Sequence, residues 1–301
     1  MLANILLSLF IIPALGANYF NFDGFLNLHN NQAVLEQQAP KRIYTDYLDI
    51  KITAQSAIAV DVKSGKILYK KNIEEIRPIA SITKLMTALV FLDHNPGWQN
   101  EIKIKAEDRN SGGIIYLNIG DTLTLKNLFY TALVVSDNDA ADALMRASGL
   151  NSEQFISEMN VKAKSLNLNN TQFVDPTGLH LGNKSNIQDI VRLLYCALQN
   201  EAIQKATSMA KYEFEVKYMI NDIEKTRTVK LRNTDWLLGS YLNVVGGKTG
   251  HLEEAGYCFA TKILGEQNQE IIVVVLGSDS NFNRFQDVKA ITDWVFNNYQ
   301  W

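Results

Sequence analysis

Residues 78–94 read PIASITKLMTALVFLDH, and this stretch predicts an amphipathic helix that begins near Ser81. Its leucines recur near helical spacing, which favours one buried face. Ser81 and Lys84 lie three residues apart, so they share a face at the N-terminal end of this helix. Two interpretations are open. Ser81 is an ordinary N-cap and Lys84 a solvated side chain, or the two residues are a nucleophile and its base.

The chain of 301 residues has the composition of a globular protein, with 47% hydrophobic and 20% charged residues. This length allows one large domain or two modest ones. The net charge of -3 and the lack of any basic run argue against a nucleic-acid partner. The two cysteines, Cys196 and Cys258, indicate neither a disulfide framework nor a zinc site. Buried free thiols are the favoured interpretation, and a disulfide is the alternative.

The N-terminal residues 1–16 are mostly apolar, too short to span a membrane, and end in small residues. This pattern favours a cleaved signal peptide. No basic residue precedes the apolar core, so two alternative interpretations stay open: an uncleaved membrane anchor and a buried N-terminal helix. Residues 17–50 show no clear period and are assigned to a leader. We therefore expect an exported protein, periplasmic or otherwise extracytoplasmic, with no stable membrane anchor unless this leader is retained.

Residues 51–301 predict a single mixed α/β (α+β) domain. Strand-like segments lie at both ends of it: SAIAVDV and KILYKK flank a turn at Gly65, and VVGGKTG, GYCFATKIL and EIIVVVLGSD come near the C-terminus. The middle is mostly helical, apart from a hairpin formed by YEFEVKYMI and TRTVKLRNT. A last helix reads RFQDVKAITDWVFNNY. This order predicts an antiparallel sheet that joins N-terminal and C-terminal strands and is flanked by helices.

Three short motifs follow one another along the chain: SITK at 81–84, SDN at 136–138 and KTG at 248–250. Their order matches the S-x-x-K, S-D-N and K-T-G set of penicillin-binding proteins and class A β-lactamases. The segments RPIASITKLMTALVFLD, FVDPTGL, LRNTD and GGKTGHLEEAGYC also resemble the low-molecular-mass penicillin-binding proteins, the serine D-alanyl-D-alanine peptidases. The resemblance covers residues 52–301. It implies a transpeptidase/β-lactamase-like fold with a helical subdomain, and no metal or cofactor.

The motif chemistry assigns Ser81 as the nucleophile and Lys84 as its base, provided that the pKa of the lysine is lowered by burial or by a second cation. Lys248 is the expected second cation. Ser136 is expected to relay a proton toward the leaving amine. Asn138 is expected to hydrogen-bond a substrate peptide group.

The K-T-G motif is expected to bind substrate through Lys248, Thr249 and Gly250. The backbone amides of Ser81 and His251 are expected to form the oxyanion hole. The glycines at 246, 247 and 250 are expected to let substrate backbone approach the strand closely. Structural alternatives stay open: the S-D-N residues would only cap a helix corner, the K-T-G residues would only form a turn, and His251 would be a polar strand residue.

The resemblance implies that Ser81 forms an acyl-enzyme, which water then hydrolyses. The implied substrate is the D-alanyl-D-alanine end, or a D-alanine-containing cross-link, of peptidoglycan stem peptides. β-Lactam antibiotics would acylate the same serine. The implied biological setting is cell-wall biogenesis and the maintenance of cell shape.

Two features depart from many members of that family. Leu252 stands where a threonine hydroxyl often helps to hold the substrate carboxylate, and Arg284, just before the last helix, is expected to supply the missing contact. The sequence ends at Trp301, and we expect no C-terminal β-domain. This short architecture looks closer to the periplasmic endopeptidases of the group, so carboxypeptidase and endopeptidase action both stay open.

Two other functions compete with the peptidase. A class A β-lactamase would carry a glutamate in an E-x-x-L-N segment to position the deacylating water. The region after Asn138 has no such segment, and FVDPTGL occupies the corresponding stretch. A non-catalytic sensor of penicillin or of the cell wall is usually tethered to a transmembrane signalling segment, and none is visible in the sequence.

Overall fold

The computed structural model describes residues 39–43, 50–110 and 113–301. The predicted signal peptide at 1–16 lies outside these ranges, as does most of the predicted leader at 17–50. Within the described residues, no helix is both long enough and apolar enough to cross a membrane.

Strands in the described ranges are β1 Lys41–Arg42, β2 Ser56–Asp61, β3 Ile67–Lys71, β4 Arg77–Pro78, β5 Glu101–Lys103, β6 Thr122–Thr124, β7 Lys184–Ser185, β8 Lys211–Ile220, β9 Ile223–Arg232, β10 Asn243–Leu252, β11 Gly256–Leu264, β12 Glu270–Ser278 and β13 Tyr299–Gln300. The α-helices there are α1 Lys84–Asp93, α2 Leu125–Val134, α3 Asn138–Ala147, α4 Ser152–Ser165, α5 Ile187–Ala197, α6 Glu201–Ser208 and α7 Asn281–Asn298. Short 3₁₀ helices lie at Ala80–Thr83, Ala106–Asp108 and Trp236–Gly239.

The central sheet has five antiparallel strands in the order β10-β11-β12-β2-β3. The predicted joining of N-terminal and C-terminal strands is therefore confirmed. Alternate residues of a strand face opposite sides of a sheet. Accordingly, Ile58 and Val274 enter one hydrophobic core with the helical middle of the chain, whereas Ala59 and Val273 enter a second core with α7. Burial on both faces explains the unbroken apolar runs in β2 and β12.

The helical part of the chain packs α1 to α6 on one side of this sheet and carries a second sheet in the order β5-β6-β8-β9. The predicted hairpin between β8 and β9 is present, with Ile220 paired to Ile223. Its turn residues Asn221 and Asp222 have φ angles of 49° and 61°. Asparagine and aspartate tolerate this left-handed conformation, which a two-residue hairpin turn requires.

Some element boundaries differ from the sequence predictions. The quoted stretch does not form one helix from Ser81: residues 80–83 form the 3₁₀ turn, and α1 begins at Lys84. Helix α6 was not predicted, although Asn200 is a typical N-cap that accepts hydrogen bonds from two amides of its first turn. β1 lies in the predicted leader and pairs with β13. Cys196 and Cys258 are free, with Cys258 buried and Cys196 partly buried.

Candidate active site

Ser81 lies in the 3₁₀ turn between β4 and α1, and it makes no N-cap hydrogen bond. The capping interpretation of Ser81 is therefore wrong. The side chain is partly exposed, as a nucleophile requires. Its neighbour Ala80 has a φ angle of 46°, which turns the chain sharply just before the serine.

Two glycines allow other segments to approach this turn. A Cβ on Gly178 would lie 2.1 Å from the carbonyl oxygen of Ala80. A Cβ on Gly250 would lie 3.0 Å from the amide nitrogen of Ser81. Because such distances are too short for a side chain, these positions favour glycine. The sequence had instead assigned the strand glycines to the approach of substrate.

At all three strand glycines, the space that a side chain would fill is occupied by the protein itself. The space beside Gly246 is occupied by Thr207 Oγ1, 2.7 Å from an added Cβ, and the space beside Gly247 by the carbonyl oxygen of Ala260, also at 2.7 Å. The glycines of β10 therefore let this strand pack against the protein's own helices and strands. The sequence pattern shows that a close approach occurs but not what approaches.

Lys84 is buried, with 1% of its surface exposed, so its interpretation as a solvated side chain is wrong. Its Nζ donates to Ser81 Oγ at 3.0 Å, to Asn138 Oδ1 at 2.6 Å and to the carbonyl oxygen of Thr177 at 2.6 Å. These contacts use all three donors of an ammonium. The serine and the lysine are thus within direct proton-transfer distance.

Burial lowers the pKa of Lys84 to about 8, although the charges of Asp137, Asp175 and Asp142 act in the opposite direction. The physical reason is that a charged amine loses its hydration in the protein interior. Burial is thus the main cause of this shift, rather than the second cation that the sequence suggested. A lysine with this pKa is partly neutral near physiological pH and can accept a proton.

The S-D-N segment connects α2 to α3 and serves both of the roles that the sequence left open. Asp137 caps α3 by accepting from the amide of Ala140 at 2.8 Å. Ser136 has a φ angle of 61°, a conformation that is uncommon for a residue other than glycine. Ser136 and Asn138 direct their side chains to the two buried lysines, since Ser136 Oγ accepts from Lys248 Nζ at 2.7 Å.

The K-T-G segment belongs to β10, the outer strand of the sheet, so its interpretation as a turn is wrong. Lys248 is 1% exposed and also donates to the carbonyl oxygen of Thr249 at 2.8 Å. Burial lowers the pKa of Lys248 well below its ordinary value, and the positive charges of Lys84 and Arg284 lower it further. Thr249 Oγ1 lies 2.6 Å from Thr234 Oγ1, which belongs to the LRNTD segment.

Arg284 lies within α7, and its predicted location before that helix is wrong. It is 6% exposed, and its Nη1 donates to the carbonyl oxygen of Gly250 at 3.0 Å. Its guanidinium also lies 5.5 Å from the ring centre of Tyr257. His251 stacks on the same Tyr257 ring, with 3.9 Å between ring centres. Leu252 packs against the main hydrophobic core.

Sequence reasoning gave no role to two segments that complete the site. Thr177, in FVDPTGL, provides a carbonyl acceptor for Lys84, and Thr234, in LRNTD, contacts Thr249. Both segments were recognised by resemblance alone, because neither a backbone carbonyl nor a single threonine hydroxyl stands out in a sequence. Beside the site, a cleft is lined by Ser136, Asn138 and Thr234, with Ile114 and Ile115 on a nearby loop.

The arrangement is suited to acyl transfer, because a partly exposed serine meets a buried lysine of lowered pKa while a second serine–lysine pair lies across Asn138. Among the described residues, no cluster of histidine, cysteine, aspartate or glutamate could hold a metal ion. Fold and site together define the class of serine-dependent acyl-transfer enzymes.

The sequence profile described as D-alanyl-D-alanine carboxypeptidase matches residues 39–280. The chain belongs to this family of serine-type D-alanyl-D-alanine peptidases. It is 31% identical to the D-alanyl-D-alanine endopeptidase of Escherichia coli over 81% of this chain and 78% of that protein. It is 33% identical to a D-alanyl-D-alanine carboxypeptidase of Bacillus subtilis over 82% of this chain and 63% of that protein.

Solved structures agree with this assignment. A DD-transpeptidase of Streptomyces superposes with a TM-score of 0.77 at 28% identity, covering 83% of this chain and 100% of the other. A penicillin-binding protein of Listeria monocytogenes, solved in its ampicillin-bound form, gives a TM-score of 0.70 at 28% identity with the same coverage. The predicted fold and peptidase function are confirmed, and the peptidase is favoured over the β-lactamase and sensor alternatives.

Proposed function

We propose that this peptidase hydrolyses D-alanine-containing peptide bonds of peptidoglycan stem peptides through an acyl-enzyme on Ser81. The observation that carries the proposal is the contact of 3.0 Å between Lys84 Nζ and Ser81 Oγ, combined with the burial that lowers the pKa of Lys84 to about 8. A general base works best when its pKa lies near the operating pH. The names of the related proteins support the substrate class.

Acylation begins when neutral Lys84 removes the proton of Ser81 Oγ, which attacks the carbonyl carbon of the D-alanyl residue. The amides of Ser81 and His251 donate to the oxyanion that forms. The bond from carbon to nitrogen then breaks. Ser136 gives its proton to the departing amine and recovers one from Lys248, 2.7 Å away, where the negative charge of Asp235 favours the protonated lysine. The acyl-enzyme is left with Lys84 protonated and Lys248 neutral.

Deacylation reverses these proton positions. Water attacks the ester carbonyl, and its proton passes to neutral Lys248 through Ser136. Ser81 Oγ departs with the proton that Lys84 holds. Each lysine returns to its starting state, and the products are an amine and a carboxylic acid. β-Lactams acylate Ser81 by the same first step, in which the ring amide opens, and the ampicillin-bound relative supports this reactivity.

We propose that the preferred bond is the cross-link between two stem peptides, an endopeptidase action that agrees with the names of two relatives. Leu252 offers no hydroxyl to a substrate carboxylate, and Arg284 is only 6% exposed, with one N–H directed to the Gly250 carbonyl. A single D-alanine leaving group would therefore be held weakly. A second stem peptide has additional surface that can bind in the cleft beside Ser136. The binding energy of these contacts, made away from the cleaved bond, can be used to accelerate the reaction.

The test is a digest of purified pentapeptide monomers and cross-linked dimers, read by liquid chromatography and mass spectrometry. We expect dimers to be split at least about tenfold faster than the terminal alanine is removed, as loss of one charged hydrogen bond predicts. Ser81→Ala is the inactive control, and Ser165→Ala, at an exposed serine of α4, is the matched control that keeps activity. Faster removal of alanine would instead identify a carboxypeptidase with a role in trimming stem peptides.

We also propose that the protein is exported and acts outside the cytoplasm. Peptidoglycan lies outside the cytoplasmic membrane, so the substrate requires export, and the apolar segment at 1–16 supplies a candidate signal peptide. The proposed roles are in cell-wall biogenesis and cell shape. Intact mass of the protein from an extracytoplasmic fraction tests this location, and recovery only from the cytoplasm would contradict it.

A further inference from the structure

The loop of residues 174–183, here called the 174–183 loop, is tied together by one carboxylate. Asp175 Oδ1 accepts from the amide and the hydroxyl of Thr177, each at 2.6 Å, and from the amide of Gly178 at 2.7 Å. Oδ2 accepts from the amide of His180 and from Asn183 Nδ2, each at 2.8 Å. Hydrogen bonds to a charged acceptor are the stronger kind. The carboxylate of Asp175 therefore fixes the backbone on both sides of the turn.

Three consecutive residues of this loop contact the catalytic segment. The carbonyl oxygen of Pro176 accepts from Thr87 Oγ1 at 2.5 Å, and that of Thr177 accepts from Lys84 Nζ at 2.6 Å. Gly178, with a φ angle of +87°, lies so close to Ala80 that no side chain fits between them. The conformation set by Asp175 is thus transmitted directly to the surroundings of Lys84.

The Thr177 carbonyl determines where the lone pair of Lys84 points. A neutral amine has two N–H donors and one lone pair, whereas the ammonium has three donors. Of the three contacts of Nζ, Asn138 Oδ1 and the Thr177 carbonyl can only accept. Both N–H bonds of the neutral amine are therefore directed to these two oxygens. The lone pair is left in the third direction, toward Ser81 Oγ.

We propose that Asp175 is a positioning residue for the catalytic base: it holds the Thr177 carbonyl against Lys84, so that the neutral amine presents its lone pair to Ser81. This inference rests on the proposed role of Lys84 as the base. Without the Thr177 carbonyl, only Asn138 Oδ1 orients an N–H of the amine, and the lone pair loses this direction. The negative charge of Asp175 also counteracts the lowering of the Lys84 pKa by burial.

Asp175→Asn tests the proposal with little change in shape. In either orientation of the new amide, its NH₂ group takes the place of a carboxylate oxygen that accepted hydrogen bonds. The NH₂ group then faces other donors, and at least two hydrogen bonds are lost. We expect acylation by a fluorescent penicillin to slow by about 10²-fold, the effect of a misplaced catalytic group. The pH midpoint of the rate is expected to move to lower pH, because the pKa of Lys84 falls when a nearby negative charge is removed.

If Asp175 only stabilised the fold, Asp175→Asn would leave the pH midpoint of acylation unchanged. The carboxylates whose charges act on Lys84 are Asp137, Asp142 and Asp175, Lys248 is the neighbouring cation, and only Asp175 is altered. Asp189→Asn is the matched control. Asp189 is 1% exposed and accepts from the amide of Asn170 at 2.7 Å and from Thr171 Oγ1 at 2.9 Å, on the stretch before the 174–183 loop. We expect this variant to lose stability but to keep the wild-type midpoint.

Thr177→Ala is a milder variant that keeps the fold if Asp175→Asn does not. It removes one hydrogen bond to Asp175 and one from the amide of Leu179, but it retains the charge and the carbonyl. We expect a fall in acylation rate of roughly tenfold or less, with an unchanged midpoint. Wild-type rates in both variants, or a midpoint in Asp175→Asn equal to that of Asp189→Asn, would overturn the proposal. Labelling that survives in Ser81→Ala would instead overturn the proposed function itself.

Discussion

The pH dependence of acylation follows directly from the burial of Lys84. Only the neutral amine accepts the serine proton, and the pKa of this lysine is lowered to about 8. The neutral fraction is then about 90% at pH 9, about 10% at pH 7 and about 1% at pH 6. We expect the acylation rate to rise roughly tenfold per pH unit below pH 8 and to level off above it.

The assay is stopped-flow acylation by a chromogenic or fluorescent β-lactam from pH 6 to pH 10, under conditions where the protein stays folded. An ordinary lysine would give a rate that still rises at pH 10, because its pKa is about 10.4. Lys84→Ala is expected to lose the inflection and to slow by at least about 10²–10⁴-fold. A rate that keeps rising through pH 10, or an inflection near 8 that survives in Lys84→Ala, would refute the assignment of Lys84 as the base.

Three further changes test other parts of the site. Ser81→Ala is expected to abolish labelling by a fluorescent penicillin while the circular dichroism spectrum stays native, and residual labelling would place the nucleophile elsewhere. Gly178→Ala is expected to reduce the free energy of unfolding by about 3–5 kcal/mol in a urea titration, because it combines a steric clash with a positive φ angle. Leu252→Thr is expected to raise alanine release from pentapeptide by about tenfold, the effect of one hydrogen bond to a carboxylate; an unchanged rate would show that this position does not limit carboxylate binding.

Part of the site could be predicted from the sequence because it depends on local spacing. Ser81 and Lys84 lie three residues apart on neighbouring turns, and this proximity persists although a 3₁₀ turn replaces the first turn of the predicted helix. The order of strands and helices likewise follows from hydrophobic periodicity. Residues 57–60 of β2 and 271–276 of β12 are all apolar, so alternate side chains of each strand can pack into the two cores.

Other parts depend on tertiary contacts that no local pattern encodes. The left-handed backbone of Ser136 is imposed by the connection between α2 and α3, since serine has no intrinsic preference for it. The strand glycines make room for three different parts of the protein: α6 beside Gly246, β11 beside Gly247 and the 3₁₀ turn beside Gly250. The carbonyl of Thr177 reaches Lys84 from 93 residues away, through an atom that every residue type possesses.

Two buried lysines in one site would repel each other and favour loss of both protons, so their carboxylate neighbours determine whether either remains a useful base. Asp137 and Asp142 act on Lys84, and Asp235 acts on Lys248. Burial in turn raises the pKa of Asp137 and Asp142 to about 6 and that of Asp235 to about 7. Because the strength of a base falls with its pKa, full desolvation without these carboxylates would leave a neutral but weakly basic Lys84. The carboxylates partly compensate for the effect of burial and keep the pKa of Lys84 at about 8. At this pKa the amine is neutral in a sizeable fraction of molecules and is still an adequate base.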